Sequence, residues 1–122
     1  MAAEASVNII ATLTGLGDVQ EFSKRFSTTS TPARALYHYM TQAVADTDEA
    51  LEVGDVSTID LIILKCVSND CDLDCNFSAA FSADITVNEG EVACFKPAGT
   101  VYLKNNDAGE QSTVEYLIVG SA

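Results

Sequence analysis

Positive charge is scarce in this chain. Six Lys and Arg stand against 18 Asp and Glu, and the formal net charge is −12. A nucleic-acid binder needs clustered Lys and Arg to neutralise phosphates, and no cluster exists here. DNA, RNA and anionic membrane are therefore poor partners. Long apolar runs are missing too: Leu61 to Leu64 falls far short of the ~20 residues of a membrane-spanning helix. The start, Met1-Ala-Ala-Glu-Ala-Ser6, lacks the basic opening and apolar run of a signal peptide. Trp is absent and His38 is the lone histidine, so a β-sandwich metal site built from several imidazoles cannot form. No Gly-x-Ser-x-Gly elbow surrounds a serine. Gly15-Leu-Gly-Asp18 lacks the further glycines and the Gly-Lys pair of a phosphate loop. These absences point away from an enzyme, and no cofactor is expected.

What is present suffices for one core. The chain has 122 residues, 48% of them hydrophobic, which sets the expectation of a single domain over residues 7–122. Residues 1–6 are small and uncapped and read as a flexible arm that orders on a partner. An acidic surface repels its own kind and steers toward basic patches on other proteins.

Period-two alternation dominates the chain. Val7, Ile9, Ala11 and Leu13 share one parity against Asn8, Thr12 and Thr14, the pattern of a half-buried strand. Gly15 to Asp18 turns, Phe22, Lys24 and Phe26 alternate again, and Ser27 to Thr31 is a polar loop. Residues 32–44 carry two patterns. Thr31-Pro32 suits a helix N-cap with Leu36, Tyr37, Met40 and Val44 as a stripe, giving one short helix. Leu36-Tyr-His-Tyr-Met-Thr41 is richer in residues that suit a pleated surface, which favours a strand.

The second half alternates more clearly. Ile59 to Cys66 is apolar on both parities after Asp60, as in a strand covered on both faces. Phe77 to Val87 reads as one long strand bent near Ala79-Ala80. Asn88 to Gly90 turns, Val92 to Phe95 resumes, Lys96 to Gly99 breaks, and Val101 to Leu103 follows. Asn105 to Gly109 turns again before Val114 to Val119 closes the chain. Roughly eight to ten short strands at such spacing indicate an all-β antiparallel sandwich. Ile59 to Cys66 and Tyr116 to Val119 also hold enough apolar surface for two readings: doubly covered central strands, or a subunit interface.

Four pieces in sequence carry a resemblance: Leu51-Glu-Val-Gly-Asp-Val-Ser-Thr58, Ile59 to Cys66, Glu89-Gly-Glu-Val-Ala-Cys-Phe-Lys-Pro97 and Val114-Glu-Tyr-Leu-Ile-Val-Gly120. Their order resembles the small jelly-roll virion proteins of tailed bacteriophages, above all the capsid decoration or cement proteins. The resemblance covers residues 49–120. It implies a jelly-roll β-sandwich, homotrimeric, binding the major capsid protein on the outer surface of the virion after synthesis in the host cytoplasm. It brings no catalytic motif. The alternative is a tail, head-fibre or receptor-binding module on a similar sandwich, although carbohydrate recognition usually displays exposed aromatics and only Tyr37, Tyr39, Tyr102 and Tyr116 offer phenols.

The most chemical-looking stretch is Cys66-Val-Ser-Asn-Asp-Cys-Asp-Leu-Asp-Cys75. Cys66, Cys71 and Cys75, with Cys94 as a distant fourth, are thiolate candidates for zinc, but the intervals are uneven for paired ligands. Asp70, Asp72 and Asp74 offer oxygens to calcium without the Gly and distal Glu of a calcium loop. The blander reading prevails: Asp70 to Asp74 as a solvated turn, and the cysteines as small, reduced hydrophobes rather than disulfides. His38 lies between two tyrosines and reads as a packed or interfacial aromatic. Glu89 and Glu91 flank a turn as solvated acids.

Overall fold

The computed structural model describes residues 3–28 and 31–122. Its regular structure is all β: β1 (Ser6–Leu13), β2 (Gln20–Ser27), β3 (Arg34–Thr41), β4 (Glu49–Ala50), β5 (Thr58–Ser68), β6 (Cys71–Asp74), β7 (Ile85–Val87), β8 (Val92–Phe95), β9 (Tyr102–Asn105) and β10 (Thr113–Ser121). Met1 and Ala2 of the expected arm, and Thr29 and Ser30 of the expected loop, lie outside the described residues. Ser6, counted with the arm on sequence, is the first residue of β1.

β1 and β2 form a two-stranded ribbon of their own. The other eight strands make two four-stranded antiparallel sheets, ordered β3-β10-β5-β8 and β4-β9-β6-β7. One core joins the sheets: Ile62 and Leu64 of β5 and Tyr116 and Ile118 of β10 face Leu73 of β6 and Leu103 of β9. The body is thus the antiparallel β-sandwich that the alternation predicted.

Each sheet follows from parity. On β10, Val114, Tyr116 and Ile118 point inward and are buried, whereas Glu115 and Leu117 point out. Burying a side chain such as Ile118 or Leu64 stabilises the fold by about 1.5–3 kcal/mol. The Tyr116 hydroxyl, carried into the core, donates to the Glu52 carbonyl oxygen at 2.6 Å. Burial holds its acidity well below that of a free phenol. β5 and β10 are both central in their sheet, with strands on either side.

β10 also needs its last glycine. The β5–β10 register shifts between Val119 and Gly120, and a Cβ on Gly120 would stand 1.9 Å from the Thr58 carbonyl oxygen. Only a residue without a side chain admits that approach.

One open choice is settled, and two sequence expectations change. The helix weighed for residues 32–44 does not form; residues 34–41 are β3, with Leu36 and Met40 packed on the core and Tyr37 and Tyr39 exposed. A helical stripe would have put Tyr37 inside beside Leu36, and the sandwich needs the opposite parity. The long strand expected over Phe77–Val87 is a strand only at Ile85–Val87; residues 75–84 form a loop with an isolated bridge between Ser78 and Ala80. Ala79 sits there at φ 64°, a left-handed turn that breaks a ladder. The turn expected at Asp70–Asp74 is mostly strand β6, because Cys71 and Leu73 share a parity and enter the core.

Candidate assembly surface

The β1–β2 ribbon is two-faced. Its register sets Val7 opposite Phe26, Ile9 opposite Lys24, Ala11 opposite Phe22 and Leu13 opposite Gln20. Side chains of directly paired residues share a face. One face is therefore apolar, interrupted only by Lys24 and Gln20. The other pairs Ser6 with Ser27, Asn8 with Arg25, Ile10 with Ser23 and Thr12 with Glu21. The polar face is knitted together: Arg25 Nε donates to Ser6 Oγ at 2.9 Å, and Ser27 Oγ to Glu4 Oε1 at 2.8 Å.

The apolar face is open. Of the ribbon's strand residues only Val7 is even half-buried. Phe22 is 55% exposed, Leu13 49%, and at the tip Leu16 reaches 78%. The half-buried strand expected from the alternation is thus correct in period and wrong in burial. Gly15 and Gly17 both take positive φ (92° and 95°), which lets the chain reverse at the tip.

A second open surface adjoins the root of the ribbon. The outer face of the β3-β10-β5-β8 sheet carries a cross-strand row of Tyr37, Leu117, Ile63 and Cys94, fixed by the three registers. The next row holds Tyr39, Glu115, Lys65 and Val92. Tyr37, Tyr39 and Val92 are exposed large side chains. The Tyr37 hydroxyl donates to Glu115, and this bond to an anion raises the phenol's pKa. At the other end of this face, Leu61 and Val119 are buried although they lie outside the shared core. They line an open cleft of about 480 Å³ beneath residues 3–7. The chain's own N-terminal segment covers half of this face and leaves the other half bare.

The outer face of the other sheet is closed by its own loop. Phe77 stacks on Tyr102 (centroids 3.7 Å apart, planes at 11°), and Lys104 Nζ lies 6.0 Å from the Phe81 ring centre. Asp74 pins this loop, accepting from the backbone N–H of Asn76 at 3.0 Å and of Ser82 at 2.9 Å. Asp84 accepts from the N–H of Cys75 at 2.8 Å.

The sequence-predicted ligands are engaged in the same way. Asp70 accepts from the N–H of Glu89 at 2.7 Å; Asp72 accepts from Thr86 Oγ1 at 2.7 Å and from Asn106 Nδ2 at 3.0 Å. Cys66 and Cys71 are buried and hydrogen-bond each other, and Cys66 Sγ donates to the Asn69 carbonyl at 3.1 Å. Burial pushes both thiols up, Cys71 most strongly. Cys75 is raised by burial and by Asp84 and Asp74, and Cys94 by partial burial. All four cysteines are free thiols. Among the described residues, no three His, Cys, Asp or Glu side chains converge as a metal site. His38 meets Tyr116 edge-on with ring centres 5.8 Å apart.

A polar knot around the buried Gln42 and Asn105 left no signal in the sequence. Asn105 Nδ2 donates to Asp46 Oδ1 at 2.9 Å, and Asn105 Oδ1 accepts from the Asp46 N–H at 2.7 Å and from Gln42 Nε2 at 2.9 Å. Gln42 Nε2 also reaches the Thr47 carbonyl at 2.8 Å, and Gln42 Oε1 takes the Ser112 N–H at 3.2 Å. The hydrogen bonds from Asn105 and then from the Gly109 N–H lower the Asp46 pKa. The knot fastens two loops that are far apart in sequence. Among the described residues, no buried side-chain nitrogen or oxygen lacks a hydrogen-bond partner. The body's buried polar groups are thus satisfied from within.

Compared with protein-family models, with curated proteins and with solved structures, the chain matches none.

Proposed function

We propose that this chain is a non-enzymatic virion structural protein: a capsid decoration, or cement, protein that binds the outer surface of a bacteriophage capsid and stabilises the shell. The observation that carries the reading is the open apolar surface made by the β1–β2 ribbon and the adjoining sheet face. Contiguous apolar surface left bare on a body that has closed its own core marks a place where other proteins sit. The strand order supports the jelly-roll part of the reading: consecutive strands from β3 to β10 alternate between sheets except at the β6–β7 hairpin, and the two sheets interleave as 1-8-3-6 and 2-7-4-5 of that eight-strand set. That order is the one expected of a jelly roll, and it supports the reading alongside the sequence resemblance in residues 49–120. The acidic body favours a shell protein that presents basic groups, and the resemblance of residues 49–120 favours a trimer.

The test is to mix the purified protein with phage shells that lack their decoration and to sediment the mixture. Saturable co-sedimentation and a raised shell-disruption temperature are expected. No co-sedimentation and no stabilisation would overturn the reading, and specific capture on a glycan array would favour the receptor-binding alternative.

A further inference from the structure

We infer that the β1–β2 ribbon is an exchanged arm: its apolar face covers the bare half of the outer β3-β10-β5-β8 face on a second copy of this chain.

Four observations lead there. The first is thermodynamic. A lone two-stranded hairpin is marginal in water, and this one hides almost none of its apolar face. Eight residues per strand make a ribbon about 26 Å long at ~3.3 Å per residue. Its Phe22 and Phe26, still 55% and 40% exposed, are the natural anchors. The ribbon becomes a stable element when something covers that face.

The second is charge. Residues 6–27 hold two acids, Asp18 and Glu21, and two bases, Lys24 and Arg25, so the ribbon is neutral and the rest of the chain carries the whole −12. A basic partner is drawn to the body and gains nothing electrostatic from the ribbon. Two acidic copies, in contrast, repel everywhere except where such a neutral surface lies between them.

The third is complementarity on one chain. The bare half of the outer face shows Tyr37, Tyr39, Val92 and Cys94 around the half-buried Leu117 and Ile63. Glu115 and the exposed Lys65 lie opposite each other in this patch, so its two charges cancel, and Lys24 is the charge on the ribbon's apolar face. A largely apolar ribbon thus fits a largely apolar patch that carries no net charge.

The fourth is continuity. Residues 3–7, which lead into the ribbon, already lie over Leu61, Ile63, Leu117 and Val119 across the cleft. Each copy thereby covers half of its own outer face and presents its arm to the other half of a neighbour's. Such a contact repeats around a closed ring, and each copy both gives and receives an arm.

The inference deepens the assembly reading by naming the surface through which copies meet. Its test uses the free protein without shells, so its failure and the failure of shell binding are told apart. Wild type, Phe22→Asp and the tip variant Leu16→Asp are compared by sedimentation velocity up to about 100 μM. Alkylation of Cys94 is followed alongside by the mass of its peptide. Wild type is expected to sediment as a closed oligomer and both variants as folded monomers with the unfolding midpoint of wild type diluted below its association. Cys94 is expected to react about tenfold faster in Phe22→Asp, since an uncovered thiol meets reagent freely. A monomeric wild type overturns the inference; if Phe22→Asp then also loses shell binding, the arm seats on the shell protein instead. An oligomer that survives Phe22→Asp overturns it as well. Monomeric variants with unchanged Cys94 reactivity would show that the arm docks elsewhere than the sheet face, which equally overturns it.

Discussion

Two antiparallel strand pairs in this molecule have the same design and opposite surroundings. β5 and β10 run side by side with Ile62, Leu64, Tyr116 and Ile118 on one face, and the second sheet covers that face completely. β1 and β2 set Val7, Ile9, Leu13, Phe22 and Phe26 on one face, and that face stays open. Period-two alternation is present in both. What differs is whether the same chain provides the cover, and alternation alone does not reveal that. A pair covered from within adds to the stability of the fold, whereas a pair left open stores its apolar area for association.

That contrast predicts where substitutions act. Leu64→Ala, in the fully buried pair, should cost about 3–4 kcal/mol of unfolding free energy, because it removes packed carbon and leaves a cavity. Urea denaturation measures the loss, and a value under about 1 kcal/mol would mean that the core is looser than described. Asn105→Ala should cost about 2 kcal/mol by stranding the side-chain amide of buried Gln42 and leaving a gap where the buried Asn105 side chain sat. It should also loosen residues 43–48 before the rest, as read by local hydrogen exchange. Phe22→Ala, in the open pair, should change unfolding by less than about 0.5 kcal/mol while weakening self-association. A Phe22→Ala loss as large as that of Leu64→Ala would erase the distinction between the two pairs.

Acid should weaken the body at Asp46. The Asp46 carboxyl has its pKa lowered by Asn105 and Gly109 in the folded state. Its contribution to stability is therefore present above the unfolded-state value of ~3.9 and is lost as pH falls through the lower folded value. Denaturation midpoints taken from pH 5 downward should fall less steeply for Asp46→Asn than for wild type. Parallel slopes would remove Asp46 from the account of acid stability.

Much of the body was legible in the sequence. Ile59 to Cys66, Val92 to Phe95 and Val114 to Val119 announced themselves because each strand sits in a sheet and its parity is set by one core. Leu36 to Met40 resolved as a strand for the same reason. Two stretches misled, each for a physical cause. Around β6, Asp70, Asp72 and Asp74 gave the look of a solvated turn and hid the inward parity of Cys71 and Leu73. Between Phe77 and Ala83 the alternation is real, but Phe77 and Phe81 lie against Tyr102 and Lys104 on an outer face and no ladder forms there. The Asp46–Asn105 knot joins residues 59 positions apart, and no local pattern records such a pairing. The candidate surface was half visible. The surplus of apolar residues in β5 and β10 raised the thought of an interface, whereas the ribbon looked like an ordinary half-buried strand pair.

Hydrogen exchange of the free protein across a dilution series tests the contrast between the two pairs most directly. In the most dilute samples the amides of Ser6–Leu13 and Gln20–Ser27 should exchange within seconds, while those of β5 and β10 stay protected for hours. As concentration rises, protection should appear in β1 and β2 and leave β5 and β10 unchanged. If β1 and β2 are as protected as β5 and β10 at every concentration, the ribbon is covered from within its own chain, and the contrast between an open pair and a closed one is contradicted.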